Sequence, residues 1–206
     1  MLYFWSAIAF GGGVACLKAT TRIPDEQGRN YSFSNEAAAF AGFFAMALTL
    51  IPYLLGDFVL PIAYWTPFTW FLSAQFMVDI FYHELADEWN GVLGVLSLMC
   101  LFVFFPAGIW WSHALATLAI FTVFFAIWWM TNSVGFGDVK FLAAVGWLLP
   151  LAGVLPFLLI ASLSGSIYGL LKVTATGNPF KKENRNQELA FGPHLILGLF
   201  ATLLLL

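Results

Sequence analysis

The sequence predicts an all-α membrane protein, a bundle of about eight transmembrane helices. Of its 206 residues, 61% are hydrophobic and 9% are charged, whereas a soluble domain of this size carries about a quarter charged residues. Apolar runs recur along the whole chain, and several reach the roughly 20 residues needed to cross a bilayer. Since so little polar surface is available for water, we expect a single membrane domain over 1–206 and no soluble domain.

The polar interruptions between the apolar runs also predict a topology. All eight Lys and Arg residues lie close to the connections that follow odd-numbered helices, and so on one side of the membrane. Because positively charged loops face the cytoplasm, we expect both termini to face outward. The apolar start lacks a basic segment before it, so we interpret it as a retained first helix. We predict helices at about 2–18, 36–55, 61–82, 91–105, 109–131, 139–149, 152–173 and 190–206.

Composition and cysteine spacing exclude several classes of function. There is no basic patch mixed with aromatic residues, so nothing supports nucleic-acid binding. The two cysteines, Cys16 and Cys100, lie in or beside apolar runs and form no CxxC pair. A zinc site or a redox motif is therefore not expected, and we predict no metal ligands.

Two acidic residues are not explained by polar loops. Asp79 lies inside the inner end of the third predicted helix, and Asp138 lies where a loop enters the sixth. An ionisable group at membrane depth costs about 3 kcal/mol unless it is paired or hydrated, so it is a functional candidate by default. Both helix ends reach the cytoplasmic side in this topology. We therefore expect Asp79 and Asp138 to lie at one depth and to meet.

Two facing carboxyl groups in a poorly hydrated site share one proton and titrate as a unit. The ionised group can take a proton from water while the neutral group donates one to a peptide carbonyl. That chemistry is typical of an aspartyl protease and uses no metal or cofactor. Each residue also has a purely structural interpretation, Asp138 as a helix N-cap and Asp79 as the partner of a lysine.

Three residues around Asp138 are candidates for positioning. Gly135 and Gly137 let the backbone bend before the helix and approach an extended substrate closely. Lys140 either holds an anionic neighbour or extends to the membrane interface.

Four segments of the sequence resemble, in order, those of the type IV prepilin peptidases, a family of aspartyl proteases with a GxGD motif. GFGDVKFLAAVGWLLP at 135–150 resembles the second catalytic motif, and DIFYHELAD at 79–87 resembles the first. The first motif has Leu-Pro-Asp where this chain has Leu-Ala-Asp, so Ala86 replaces a proline. ELAFGPHLILG at 188–198 is similar to the family's FGP segment, and 21–24 is similar to the end of its first helix.

The resemblance implies that Asp79 and Asp138 are the catalytic pair. It implies cleavage of the short basic leader from type IV prepilins or type II secretion pseudopilins, at the cytoplasmic face of the bacterial inner membrane. The partners it implies are those substrates and the lipid bilayer. It leaves the oligomeric state unknown.

The chain departs from the bifunctional members of this family. Those members carry two CxxC pairs after the first helix and also N-methylate the new terminus, whereas the corresponding loop here has no cysteine. No cofactor is expected for proteolysis, and S-adenosylmethionine is expected only if methylation is retained.

The acidic residues Glu84, Asp87 and Glu88 follow the first motif closely. They would attract a basic leader electrostatically, and the alternative is that they form a merely solvated surface cluster.

Three other functions remain open at the level of sequence. A protease of the presenilin kind also uses GxGD, but the FGP segment and the lack of a Pro-Ala-Leu motif disfavour it. An ion-coupled transporter would use Asp79 and Asp138 as a proton relay. The last alternative is an inactive assembly partner that keeps the fold.

Overall fold

The computed structural model describes residues 1–25, 27–55, 58, 60–131, 134–175 and 190–206. Within these ranges the chain is mostly helical and contains no strand, which confirms the predicted all-α fold. Short 3-10 turns lie at Ala107–Ile109 and Gly146–Leu148. The α-helices are α1 (Leu2–Thr20), α2 (Asn35–Leu55), α3 (Ile62–Tyr82), α4 (Asp87–Phe104), α5 (Trp110–Thr131), α6 (Phe136–Val145), α7 (Leu151–Ala175) and α8 (Gly192–Leu205).

Five of these helices, α1, α2, α4, α5 and α7, are long and apolar enough to cross a bilayer. The helix α8 is apolar but shorter. Large apolar side chains cover the outside of the bundle, and Leu54, Trp129 and Leu163 are each more than 60% exposed. Together with five helices long enough to cross a bilayer, an exposed apolar surface of that extent is typical of a membrane protein. The chain is therefore an integral membrane protein.

The helix α3 lies in the interior of the bundle and contacts α1, α2, α4 and α8. It is less apolar than its neighbours because it carries several buried polar side chains. The hydroxyl groups of Thr69 and of Thr49 on α2 are hydrogen-bonded to each other at 2.7 Å, and Ser73 donates to a backbone carbonyl of its own helix. These groups find partners within protein, as polar groups inside a bilayer must.

Glycines allow α1, α2 and α3 to approach one another closely. The indole of Trp70 on α3 lies flat against Gly12, where an added Cβ would come within 2.1 Å of the ring. A Cβ at Gly13 would lie 2.8 Å from the backbone oxygen of Ala41 on α2. The three helices form one packed unit, and α3 also belongs to the larger core built with α4–α8.

Several helix ends meet at one end of the bundle. The indole N–H of Trp89 at the start of α4 donates to Thr20 Oγ1 at the end of α1, at 2.9 Å. Helices α7 and α8 are antiparallel, because Gly153 near the start of α7 lies against Leu206 at the end of α8, and Gly165 lies against Phe191, which precedes α8. The described Lys and Arg residues all lie at this end or in the loop beside it: Lys18, Arg22, Arg29, Lys140 and Lys172.

Two predicted helix boundaries differ from the structure. The helix α4 begins at Asp87, four residues before the predicted start at 91. Carboxylates stabilise the first turn of a helix through its dipole, so Asp87 and Glu88 belong to the helix and not to a polar loop. The helix α6 begins at Phe136 and not at 139, with Gly135 as its N-cap. It ends at Val145, and a 3-10 turn continues to Leu148.

Candidate active site

Asp79 lies in the last turn of α3 and is only 4% exposed. The helix α3 ends within one turn of Asp79, because His83 adopts a left-handed conformation with φ 55° and donates its N–H to the backbone oxygen of Asp79. The carboxylate oxygen Oδ2 of Asp79 accepts a hydrogen bond from the backbone N–H of Gly192 at 2.8 Å. Gly192 is the first residue of α8, where backbone N–H groups lack helical partners and favour an anion.

Asp138 lies in the first turn of α6 and is 8% exposed. It occupies the third helical position, since the N-cap is Gly135. Its carboxylate interacts with the backbone N–H of Gly135, the arrangement by which an acidic residue at this position closes a helix start. The carboxyl group of Asp138 thus stabilises the start of α6, and it also interacts with the carboxyl group of Asp79.

The two carboxyl groups interact electrostatically with each other. The side chain of Leu85, from the turn between α3 and α4, packs between the segment that carries Asp138 and the start of α8, which binds Asp79. A Cβ added at Gly137 would lie 3.3 Å from Leu85 Cβ, and one at Gly192 would lie 3.0 Å from Leu85 Cδ2. Paired acid and base chemistry requires two acids that interact with each other, one ionised and one protonated.

The predicted positioning residues have different environments. Gly135 is exposed, whereas Gly137 lies inside the first turn of α6 and is half-buried against Leu85. Lys140 Nζ forms an ion pair with Asp87 Oδ2 at 2.5 Å and lies 4.9 Å from the ring centroid of Phe136. The lysine therefore does hold an anionic neighbour, and it connects the starts of α4 and α6.

Two of the acidic residues near the first motif, Glu84 and Glu88, lie near Tyr31. The Tyr31 hydroxyl donates to Glu84 Oε2 at 3.1 Å. Burial, followed by the charge of Glu84 and smaller contributions from Asp25 and Glu88, raises the pKa of the Tyr31 phenol. Among the three candidate leader contacts, Asp87 is thus paired with Lys140, Glu84 is bonded to Tyr31, and Glu88 is exposed.

Within the described ranges, no group of three His, Cys, Asp or Glu side chains could hold a metal ion. Cys16 and Cys100 are buried, unpaired thiols on α1 and α4.

Two residues at this site were not singled out from the sequence. Gly192 was seen only as part of the FGP segment, yet its N–H binds Asp79. Gln75, one helical turn before Asp79, is fully buried and bonds the backbone of Ala86. A neutral amide inside an apolar helix, four residues before an acid on the same face, was the signal available for it.

The fold and the site define a helical membrane protein with two interacting, buried carboxyl groups at the charged end of its bundle. The chain belongs to the type IV leader peptidase family, whose sequence profile matches residues 67–170 and so includes Asp79 and Asp138.

One curated relative is the prepilin leader peptidase/N-methyltransferase of Xanthomonas campestris pv. campestris. The two sequences are 29% identical over an alignment of 141 residues, which covers 62% of this chain and 45% of that protein. The match therefore spans less than half the length of that relative. No solved structure matches the chain.

Proposed function

We propose that this chain is an aspartyl endopeptidase that removes the short basic leader from type IV prepilins or type II secretion pseudopilins. The observation that carries the proposal is the burial of Asp79 and Asp138, from separate helices, at the charged end of the bundle, where Leu85 contacts both Gly137 beside Asp138 and Gly192, whose N–H binds Asp79. Membership of the type IV leader peptidase family supports the substrate class.

The reaction follows from a carboxyl pair that holds one proton. The ionised group takes a proton from a water molecule as the water oxygen attacks the carbonyl carbon of the scissile peptide. The protonated group donates its proton to the carbonyl oxygen, which gives a neutral tetrahedral diol. When the C–N bond breaks, one carboxyl group protonates the leaving amine and the other takes a proton from the diol. The pair ends with one proton, as it began.

Backbone amides keep the two acids in place during this cycle. The Gly192 N–H fixes one oxygen of Asp79, and the Gly135 N–H fixes Asp138, so that among the residues the structure describes each acid keeps an oxygen for water or substrate. Gly135 is exposed beside Asp138, and we propose that its lack of a side chain lets the extended substrate approach the site closely.

The charged end of the bundle, where the site lies, indicates how the protein is oriented in the membrane. We propose that the bundle crosses the bacterial inner membrane eight times, with both termini outward and the charged end in the cytoplasm. The clustering of the described Lys and Arg residues at that end supports this orientation. Reporter fusions at Met1 and Leu206 test it, because a terminus found in the cytoplasm would contradict it.

Glu88 is the acid best placed to attract the basic leader, because Glu84 and Asp87 already have partners and Glu88 is exposed. We expect Glu88→Gln to raise KM about twofold to threefold with kcat unchanged, since a solvated charge pair contributes about 0.2–1 kcal/mol. Cleavage rates against substrate concentration at low salt measure this.

A prepilin whose leader lysines and arginines are replaced by glutamine serves as the control. The Glu88→Gln variant and the wild type should have equal KM for that substrate. An effect of the same size on both substrates would exclude Glu88 as a leader contact.

Proteolysis by this pair uses no cofactor, and S-adenosylmethionine would act only in methylation. The purified protein should be incubated with a panel of prepilins, with and without S-adenosylmethionine, and the new N-terminus read by mass spectrometry. Cleavage after the leader is the expected result, and the same spectrum reports whether a methyl group was added. A folded protein that leaves every prepilin intact would contradict the proposed function, and ion flux in liposomes without cleavage would favour a transporter.

A further inference from the structure

We propose that Gln75 is a positioning residue that clamps the turn between α3 and α4, and through Leu85 sets the positions of Gly137, beside Asp138, and of Gly192, which binds Asp79. The inference rests on the proposed function, since the property it explains is the geometry of Asp79 and Asp138.

The clamp consists of three hydrogen bonds from one buried amide. Gln75 Nε2 donates to the backbone oxygen of Ala86 at 3.0 Å, and Gln75 Oε1 accepts from the backbone N–H of Ala86 at 2.9 Å. Nε2 also donates to Asn90 Oδ1 at 2.7 Å. All three residues are buried, with Gln75 at 0% exposure. The side chain therefore pairs with both polar backbone groups of one residue, as a neighbouring strand would.

Ala86 is the residue that makes this clamp available. It is the N-cap of α4, with φ −62° and ψ 122°, a backbone conformation that proline adopts without strain. A proline there would fix the turn by its ring, but it would have no N–H to donate. In this chain alanine leaves φ free to vary, and the bond from its N–H to Gln75 supplies the restraint instead.

The clamped turn determines where Leu85 lies. Leu85 directly precedes Ala86 and is 7% exposed. It packs against Gly137, one residue before Asp138, and against Gly192, whose N–H binds Asp79. A shift of the turn therefore moves the surface that contacts the Asp138 segment and the start of α8 that binds Asp79, although Gln75 itself touches neither carboxylate in the hydrogen bonds described.

Replacing the amide should separate catalysis from binding. We expect Gln75→Ala to lower kcat about tenfold with KM within twofold of wild type, because small displacements of reacting groups lower rates steeply. Steady-state cleavage of a prepilin measures both constants. Wild-type kcat in a folded Gln75→Ala protein would overturn the inference.

Ala86→Pro provides a rescue that a merely structural role would not give. In the wild-type background the proline has no N–H to donate to Gln75 Oε1, and its ring would collide with that oxygen. Both kcat and Tm should therefore fall. In the Gln75→Ala background the proline restores a rigid turn and removes the unpaired N–H. The double variant should then recover kcat at least about threefold over Gln75→Ala. Equal harm from Ala86→Pro in both backgrounds would overturn the inference.

Thr69→Val is the matched control for loss of stability. It removes another buried hydrogen bond of α3, to Thr49, at a site ten residues before Asp79. We expect a lower Tm with kcat unchanged, and a loss of kcat equal to that of Gln75→Ala would overturn the inference. A wild-type protein that cleaves no prepilin would contradict the proposed function alone, because the Tm values of the four Gln75 and Ala86 combinations test the clamp without substrate.

Discussion

Purified protein carrying Asp138→Asn should cleave prepilin about a thousandfold more slowly than the wild type, and Asp79→Asn should have an effect of similar size. Asparagine cannot ionise, so the pair can no longer hold one proton between two acids. Each variant removes either the base that activates water or the acid that protonates the peptide carbonyl. Single-turnover cleavage, read by mass spectrometry of the new N-terminus, measures the loss.

Both variants should remain folded. Asparagine has nearly the volume of aspartate, and its Oδ1 can accept the N–H of Gly135 at position 138 or of Gly192 at position 79. The Tm in detergent and elution as a single species should therefore match those of the wild type. These measurements distinguish lost chemistry from lost structure.

Asp87→Asn is the matched control, since Asp87 is an acid at the same end of the bundle. Its side chain is 58% exposed and paired with Lys140. Such exposed pairs contribute at most about 1 kcal/mol, so cleavage should stay within a few-fold of wild type. Full cleavage by Asp138→Asn, or an equal loss in Asp87→Asn, would contradict the carboxyl-pair mechanism.

Gly192→Ala should lower the cleavage rate about a hundredfold. Its Cβ would lie 2.9 Å from Asp79 Oδ2 and 3.0 Å from Leu85 Cδ2, closer than such atoms approach. The carboxylate must move away, and the hydrogen bond from the Gly192 N–H is stretched or lost. Because Asp79 keeps its charge, the variant tests the position of the acid and not its identity. The kcat for prepilin cleavage measures the effect.

Gly91→Ala is the control for a methyl group added to a helix start. Gly91 lies in the second turn of α4 at the same end of the bundle, and a Cβ there meets nothing within 4 Å. Alanine is the better helix former by about 1 kcal/mol, so stability should rise slightly and activity should be unchanged. If Gly192→Ala were as active as Gly91→Ala, the contact between Gly192 and Asp79 would have no role in catalysis.

The sequence predicted the helices well where apolarity alone defines them. The boundaries of α2 and α3 agree within a residue, because uninterrupted apolar runs end there in polar or helix-ending residues. The starts of α4 and α6 were wrong, because Asp87 and Gly135 are polar or flexible residues that also begin helices. Composition does not distinguish a helix start from a loop.

The acids of the candidate site were predictable because charge inside an apolar chain is costly and therefore rare. The groups that hold these two acids in place could not be predicted from the sequence. The bond from Gly192 to Asp79 joins residues 113 positions apart, and it uses a backbone N–H that carries no sequence signal. The clamp of Gln75 on Ala86 likewise depends on a turn geometry that the sequence does not specify. Tertiary contact determines both.

The polar interior of α3 has a consequence for biogenesis. If α3 were placed alone in lipid, Asp79 would cost about 3 kcal/mol, and Gln75 would add to that cost. The partner of Asp79 is at the start of α8, and those of Gln75 are on or just before α4, so all are synthesised after α3. Release of α3 from the translocation channel into the bilayer therefore becomes more favourable as the later segments emerge, which couples the insertion of α3 to that of α4 and α8.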